Sequence, residues 1–183
     1  ALPRYEDQEQ RQAVVERFYT TGAIEELLDL LEQTYFKVSD NRDLRWNSEL
    51  ALKVAFLVVL FNDAFYIMHS EPALGRGYGD LFMQVRPDMR QYNLRDHLFE
   101  FKALTLKELG LNSAALATKT REELRELPAV VEKLREAQTQ LAIYRETLES
   151  KSRQPLQLHT HAVVGIGLER LVGTTDHYEY AHD

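Results

Sequence analysis

The stretch His97-Leu98-Phe99-Glu100-Phe101-Lys102-Ala103 decides how the chain is to be understood. Side chains alternate across a strand with period two. As a strand, this segment sends Phe99 and Phe101 into one core and sets Glu100 and Lys102 side by side on the other face. His97 falls with Phe99 and Phe101, away from that pair. A carboxylate and an ammonium placed mid-strand in an apolar run are costly if buried without purpose. The plain alternative is an ion pair on a solvated sheet face.

Upstream, Asp80-Leu81-Phe82-Met83-Gln84-Val85 alternates as a second strand, with Leu81, Met83 and Val85 opposite Asp80. A hairpin pairing of 80–85 with 97–103 brings Asp80 close to Glu100. Two carboxylates converging on a sheet face make an oxygen-rich site suited to the hard cations Mg²⁺ or Mn²⁺. Such an ion lowers the pKa of a bound water and neutralises charge on a phosphoryl oxygen. Lys102 beside it would orient or activate that water and offset developing charge. Ala64 to Met68 predicts another strand, Gly75, Gly77 and Gly79 a turn or bulge, and Pro87 to Arg95 a polar turn. The three strands form an antiparallel meander.

Helical periodicity flanks the meander. Glu6 to Tyr19 predicts a polar helix broken by Gly22, and Ile24, Leu27, Leu28, Leu31 and Tyr35 mark one face of a second. A third begins at Asn47 or Ser48, either of which could cap it. It carries apolar residues around most of its girth to Phe61, as a helix buried in a large core would. Thr120 with Glu123 predicts a capping box opening a long helical stretch to about Ser150, kinked or divided at Pro128. Its stripe is Leu124, Leu127, Val131, Leu134, Leu141 and Leu148. Leu156 to Val172 is a last strand region with a buried Ala162–Ile166 segment. The order predicts an α/β fold: a mixed, mainly antiparallel central sheet flanked by helices, its last strand reached by a helical crossover. The expected division is an N-terminal helical extension over 1–46, the core domain over 47–175 and a tail over 176–183 holding His177 and His182.

Asp80 followed by Glu100-Phe101-Lys102 resembles the D…(D/E)XK signature of the PD-(D/E)XK nuclease superfamily. Gly79 stands where that signature has proline. Glu49 lies near the place where many of these families keep a supporting carboxylate. The stretch Ser70-Glu71-Pro72-Ala73-Leu74-Gly75-Arg76-Gly77-Tyr78-Gly79-Asp80-Leu81 is similar to a bacterial and archaeal branch in which such a domain follows a predicted AAA-type ATPase. The similarity spans roughly 45–170. Gln140-Leu141-Ala142-Ile143-Tyr144 resembles the QxxxY element of RecB-type exonucleases, its two polar residues one helical turn apart on one face. The bland alternative is a surface Gln beside a core-edge Tyr. The resemblance implies a restriction-endonuclease-like fold and a nuclease that hydrolyses DNA with Mg²⁺ or Mn²⁺. Asp80, Glu100 and the Phe101 carbonyl would hold the metal, with Glu49 in support. Lys102 would assist the water, and Gln140 and Tyr144 would meet the substrate. Arg76, in the glycine-rich turn, could meet a phosphate; the plain alternative is a loop arginine on the surface. An ATPase domain or subunit and a homodimer are the further partners it implies. The alternative is a nuclease-fold module of little hydrolytic power that binds DNA or regulates an attached ATPase. A helical interaction domain in which Glu100 and Lys102 merely pair is disfavoured by the alternation over 97–103.

Bulk properties narrow the field. The 183 residues are 44% apolar and 28% charged, as in a globular protein. A net charge of −7 with a pI near 5.4 counts against a high-affinity non-specific nucleic-acid coat protein, and no basic cluster is evident. With no cysteine, disulfides, zinc thiolates and cysteine nucleophiles are excluded, and a reducing compartment fits. The opening residues are polar, unlike a signal peptide. The most apolar run, Val54 to Phe61, is far short of the ~20 residues of a membrane span. The expectation is a soluble cytoplasmic protein, and an opening Ala1 in place of Met suggests a piece of a longer one. No GxxxxGK(S/T) loop occurs, and Gly75-x-Gly77-x-Gly79 precedes an acidic strand rather than a helix, so neither nucleotide fingerprint is present. His159 and His161 share a strand face and could in principle hold a metal, but no third ligand is evident, and polar strand-edge residues are the expectation.

Overall fold

The structure, a computed structural model, describes residues 5–36, 48–70, 73–74, 77–78, 80–152 and 156–179. Helix α1 (Tyr5–Thr21) ends at Gly22, whose φ of +70° is a conformation glycine adopts without strain and whose N–H closes onto the Phe18 carbonyl at 2.8 Å. Helix α2 (Ile24–Leu31) follows and buries Ile24, Leu27, Leu28 and Leu31, as their spacing demands. It runs into a π-helical turn, Glu32–Phe36. Helix α3 (Ser48–Leu60) leads to β1 (Tyr66–Ser70), a small hairpin of β2 (Ala73–Leu74) and β3 (Gly77–Tyr78), and β4 (Leu81–Val85). After a short 3-10 turn comes β5 (Asp96–Leu104). Three short helices, α4 (Leu106–Leu109), α5 (Ser113–Ala117) and α6 (Arg121–Arg125), are capped by Thr105, Asn112 and Thr120. The long α7 (Pro128–Lys151), β6 (Gln157–Ile166) and β7 (Arg170–Glu179) complete the chain.

The five long strands form one mixed sheet in the order β1-β4-β5-β6-β7, packed between helices. Every neighbouring pair is antiparallel except β5–β6, which is parallel. A parallel pair requires a crossover, and α4 to α7 supply it. Helices α1, α2 and α3 cover one face, where Phe18, Leu27, Phe56, Phe99, Phe101 and Val163 share a core. Helix α7 covers the other, over Leu98, Leu104, Leu158, Val164 and Ile166. The strands alternate between these cores as period two requires: Leu81, Met83 and Val85 face α3, while Phe82 faces α7. Contact on the α3 side is close enough that a Cβ at Gly165 would lie 2.6 Å from Leu52.

Several expectations are corrected. Helix α3 is not buried all round: Leu50, Val54 and Val58, with Phe61 just past its end, form an exposed stripe, Val58 being 58% accessible. Its buried arc holds Leu52, Lys53, Phe56 and Leu60, and among the described residues no second layer covers the outer stripe. Val131 on α7 is exposed and Val130 takes its buried place. The helical stretch opened by the Thr120–Glu123 capping box is divided at Pro128, as expected, into α6 and an α7 that has Pro128 at its first position. The final region is two strands, and β7 continues through His177, where a tail was expected. His159 and His161 are buried within β6, which is flanked on both sides, and are not edge residues. Ser48 is the first residue of α3, while the capping expectation at Asn47 and the site expectation at Arg76 lie outside the described residues. Among the described residues no helix is long and apolar enough to cross a membrane.

Candidate active site

The site forms where β4 parts from β5. Their ladder ends at the Leu81–Phe99 pair, so among the described residues no strand pairs with the β5 backbone beyond Phe99 on that side. Asp80 stands in that gap, and its Oδ2 accepts the Phe101 N–H at 2.7 Å. In an extended strand the N–H and C=O of one residue point to the same side. The Phe101 carbonyl therefore lies along the same open edge as Asp80.

Glu100 and Lys102 project from the opposite face to Phe99 and Phe101, toward α7. The Lys102 ammonium donates to Glu100 Oε1 at 3.0 Å and to Gln140 Oε1 of α7 at 2.7 Å. Glu100 is only 4% exposed, and its second oxygen, Oε2, is buried without a hydrogen-bond partner. The expected ion pair is therefore present but not solvated, and half of its carboxylate is left unsatisfied.

The electrostatics follow from that enclosure. Burial, and then the neighbouring Asp80 charge, push the Glu100 carboxyl up to about 7, against the pull of Lys102. Burial also raises Asp80, while the Phe101 N–H, Lys102 and Lys53 act to lower it. Glu49, exposed at the start of α3, adds a small repulsion to both. Tyr144 is 7% exposed, one turn beyond Gln140, and is raised by burial and by the charges of Glu100 and Asp80. The α7 face thus brings both residues of the Gln140–Tyr144 pair to the carboxylates, though Tyr144 is also part of the core.

Sequence reasoning passed over Lys53. It is 7% exposed, in the sheet-facing arc of α3 one turn after Glu49, and its charge bears on Asp80. The available signal was a lone lysine inside an otherwise apolar helical run. Asp96 was also passed over. Its fully buried carboxylate takes Arg90 at 2.6 and 2.8 Å, Val85 N at 2.8 Å and Gln157 N at 3.2 Å. Those bonds fasten β4, β5 and β6 at the far end of the sheet and leave it no free oxygen.

Could the fork hold a divalent cation? Two carboxylates and a backbone carbonyl are hard oxygen donors. The unsatisfied Glu100 Oε2 and the upward push on both acids are what a bound cation would relieve. Among the described residues no group of three or more His, Cys, Asp or Glu side chains is placed to hold a metal. The donor set therefore fits an ion that keeps several waters, the habit of Mg²⁺, rather than an all-protein cage. Comparison with protein-family models, with curated proteins and with solved structures finds no match.

Proposed function

We propose that this protein is a metal-dependent nuclease of PD-(D/E)XK type that hydrolyses phosphodiester bonds in DNA, on a restriction-endonuclease-like fold. The observation that carries the reading is the fork, where Asp80, Glu100 and the Lys102 ammonium converge beyond the end of the β4–β5 ladder. The element order supports it too: a helix, three antiparallel strands, a helical crossover and a parallel strand.

Asp80, Glu100 and the Phe101 carbonyl would hold Mg²⁺ or Mn²⁺, with Glu49 at the margin. When bound, such an ion lowers the pKa of a coordinated water and neutralises phosphoryl charge. Lys102 has three donors, two of them engaged by Glu100 and Gln140. The third is free to orient the attacking water or a phosphoryl oxygen, and its charge offsets the negative charge that builds there. Gln140 fixes the ammonium through its carbonyl oxygen, which leaves its amide NH₂ to donate to the substrate strand. Tyr144, on the same face of α7, walls the site against water.

A second reading keeps the fold and drops the hydrolysis: a DNA-binding or regulatory module for an attached ATPase. What favours it is the net charge of −7 together with a site of two carboxylates rather than three. One assay separates them. Linear, circular and single-stranded DNA are incubated with Mg²⁺ or Mn²⁺ and wild type, Asp80→Ala or Lys102→Ala. Metal-dependent cutting lost in both variants supports the nuclease, and no cutting by folded wild type favours the module.

A further inference from the structure

Four of the six histidines, His97, His159, His161 and His177, meet on the α1 face of β5, β6 and β7, the opposite face from Glu100 and Lys102. His97 Nδ1 and His161 Nε2 are 3.0 Å apart and share a hydrogen bond, and His161 Nδ1 reaches Thr175 Oγ1 at 2.9 Å. The His159 ring stands edge-on to His177 at 4.1 Å between centroids, and to His97 at 5.6 Å.

The C-terminal turn of α1 covers this cluster. Phe18 stacks on His97 at 4.4 Å and lies 5.1 Å from His161. Gly22 presses so closely on His159 that a Cβ there would sit 1.8 Å from its Nδ1. Arg95 ties the same turn down, its N–H donating to the Tyr19 carbonyl at 2.9 Å and its Nε to the Thr20 carbonyl at 3.3 Å.

The charges around the cluster decide its behaviour. The charged groups bearing on these imidazoles are Arg95, just before β5, and the imidazoles themselves. From α1 they face the Tyr19 carbonyl, which favours one proton on His97. From β1 they face Tyr66, whose hydroxyl donates to that same carbonyl. From β7 they face Thr175 and His177. The nearby Asp96 carboxylate is committed to Arg90 and two backbone N–H groups. An added proton on the buried His97, His159 or His161 therefore meets like charge, with no counter-ion among the described residues.

We infer that this cluster is an acid-sensitive latch: the neutral imidazoles seat the C-terminal half of α1 on the sheet, and their protonation releases it while the sheet stays folded. Helix α2 and the turn after it are held independently, because Arg121 pairs with Glu25 and Asp29 of α2 and with Glu32 of that turn. Burial holds His97 and His161 well below the usual histidine range and lowers His159 to about 4. The seated state binds fewer protons than the released one, so it is fully favoured above the ordinary histidine pKa of about 6.5 and weakens as pH falls below it. His159 alone, returning to that ordinary value on release, weakens the latch about tenfold at pH 5.5.

The test is hydrogen exchange of the full chain between pH 7.5 and 5, expressed as protection factors. Protection of the Val15–Tyr19 amides is expected to fall at least about tenfold by pH 5.5 while the β6 amides keep theirs. Constant protection in α1, or equal loss in α1 and β6, overturns the latch. The double variant His159→Gln/His177→Gln is expected to carry the α1 transition to lower pH, and an unmoved transition in a folded variant overturns it as well. Should that variant fail to fold, wild-type exchange still decides the matter.

Discussion

Strand β5 carries two polar clusters on opposite faces, three residues apart, and their fates differ. At Glu100 and Lys102 the neighbouring strand has ended, the charges face each other, and one carboxylate oxygen remains unsatisfied beside an open backbone edge. At His97 the ladders continue on both sides, α1 seals the face, and the polar groups are neutral rings stacked among aromatics. Burial pushes both Glu100 and His97 toward their uncharged forms. Only the first sets carboxylate oxygens beside a backbone carbonyl. What an element covers or leaves open, rather than the polarity of the residues on it, separates a site from a structural cluster.

The largest effect expected at the fork is on chemistry. Lys102→Met should lower single-turnover cleavage by about 10²–10³-fold, since it removes the donor nearest the developing charge. Retained cleavage would move the site elsewhere. At the histidine face the effect should fall on stability. Gly22→Ala forces a Cβ into His159 at a positive φ and should cost about 2–4 kcal/mol in denaturant unfolding. Adding His159→Ala should restore part of that loss, and strict additivity would break the assigned contact.

A smaller effect sharpens the contrast in sign. Burial in the folded state pushes the Glu100 carboxyl up to about 7 from its ordinary value of 4.5. The folded state therefore holds its proton more tightly, and metal-free stability declines as pH rises through that window. Glu100→Gln should raise metal-free stability at pH 8 by about 1–2 kcal/mol in EDTA, with little gain at pH 5, while losing metal binding. A destabilised variant at pH 8 would mean that the Lys102 pairing outweighs burial. The smallest change is expected on the outer face of α3, where Val58→Thr should shift stability by no more than about 0.5 kcal/mol despite its apolar surroundings in sequence.

The sequence made the alternation of β5, the meander and the crossover legible, because period two and helix caps are local signals. It placed Glu100 and Lys102 on one face and put Asp80 near them, and the register agrees. The Lys102–Gln140 bond joins residues far apart in sequence, and a shared helix face gave only half of it. What stayed hidden depended on packing. The run Val54–Phe61 is apolar whether or not a layer covers it, so its exposed stripe could not be inferred. The histidine cluster needs β5, β6, β7 and α1 together, and no spacing within one segment encodes it. Asp96 resembles any strand-opening aspartate until Arg90 folds back onto it.

The central claim is that the fork is a divalent-cation site serving hydrolysis. Its most direct test is calorimetric titration of Mn²⁺ into wild type and into Asp80→Asn at pH 7.5, each verified as folded. The account predicts one site in the wild type, weakened at least about tenfold in the variant, as expected when one charged donor of a small oxygen set is neutralised. No binding to the folded wild type, or equal affinity in both proteins, would contradict it.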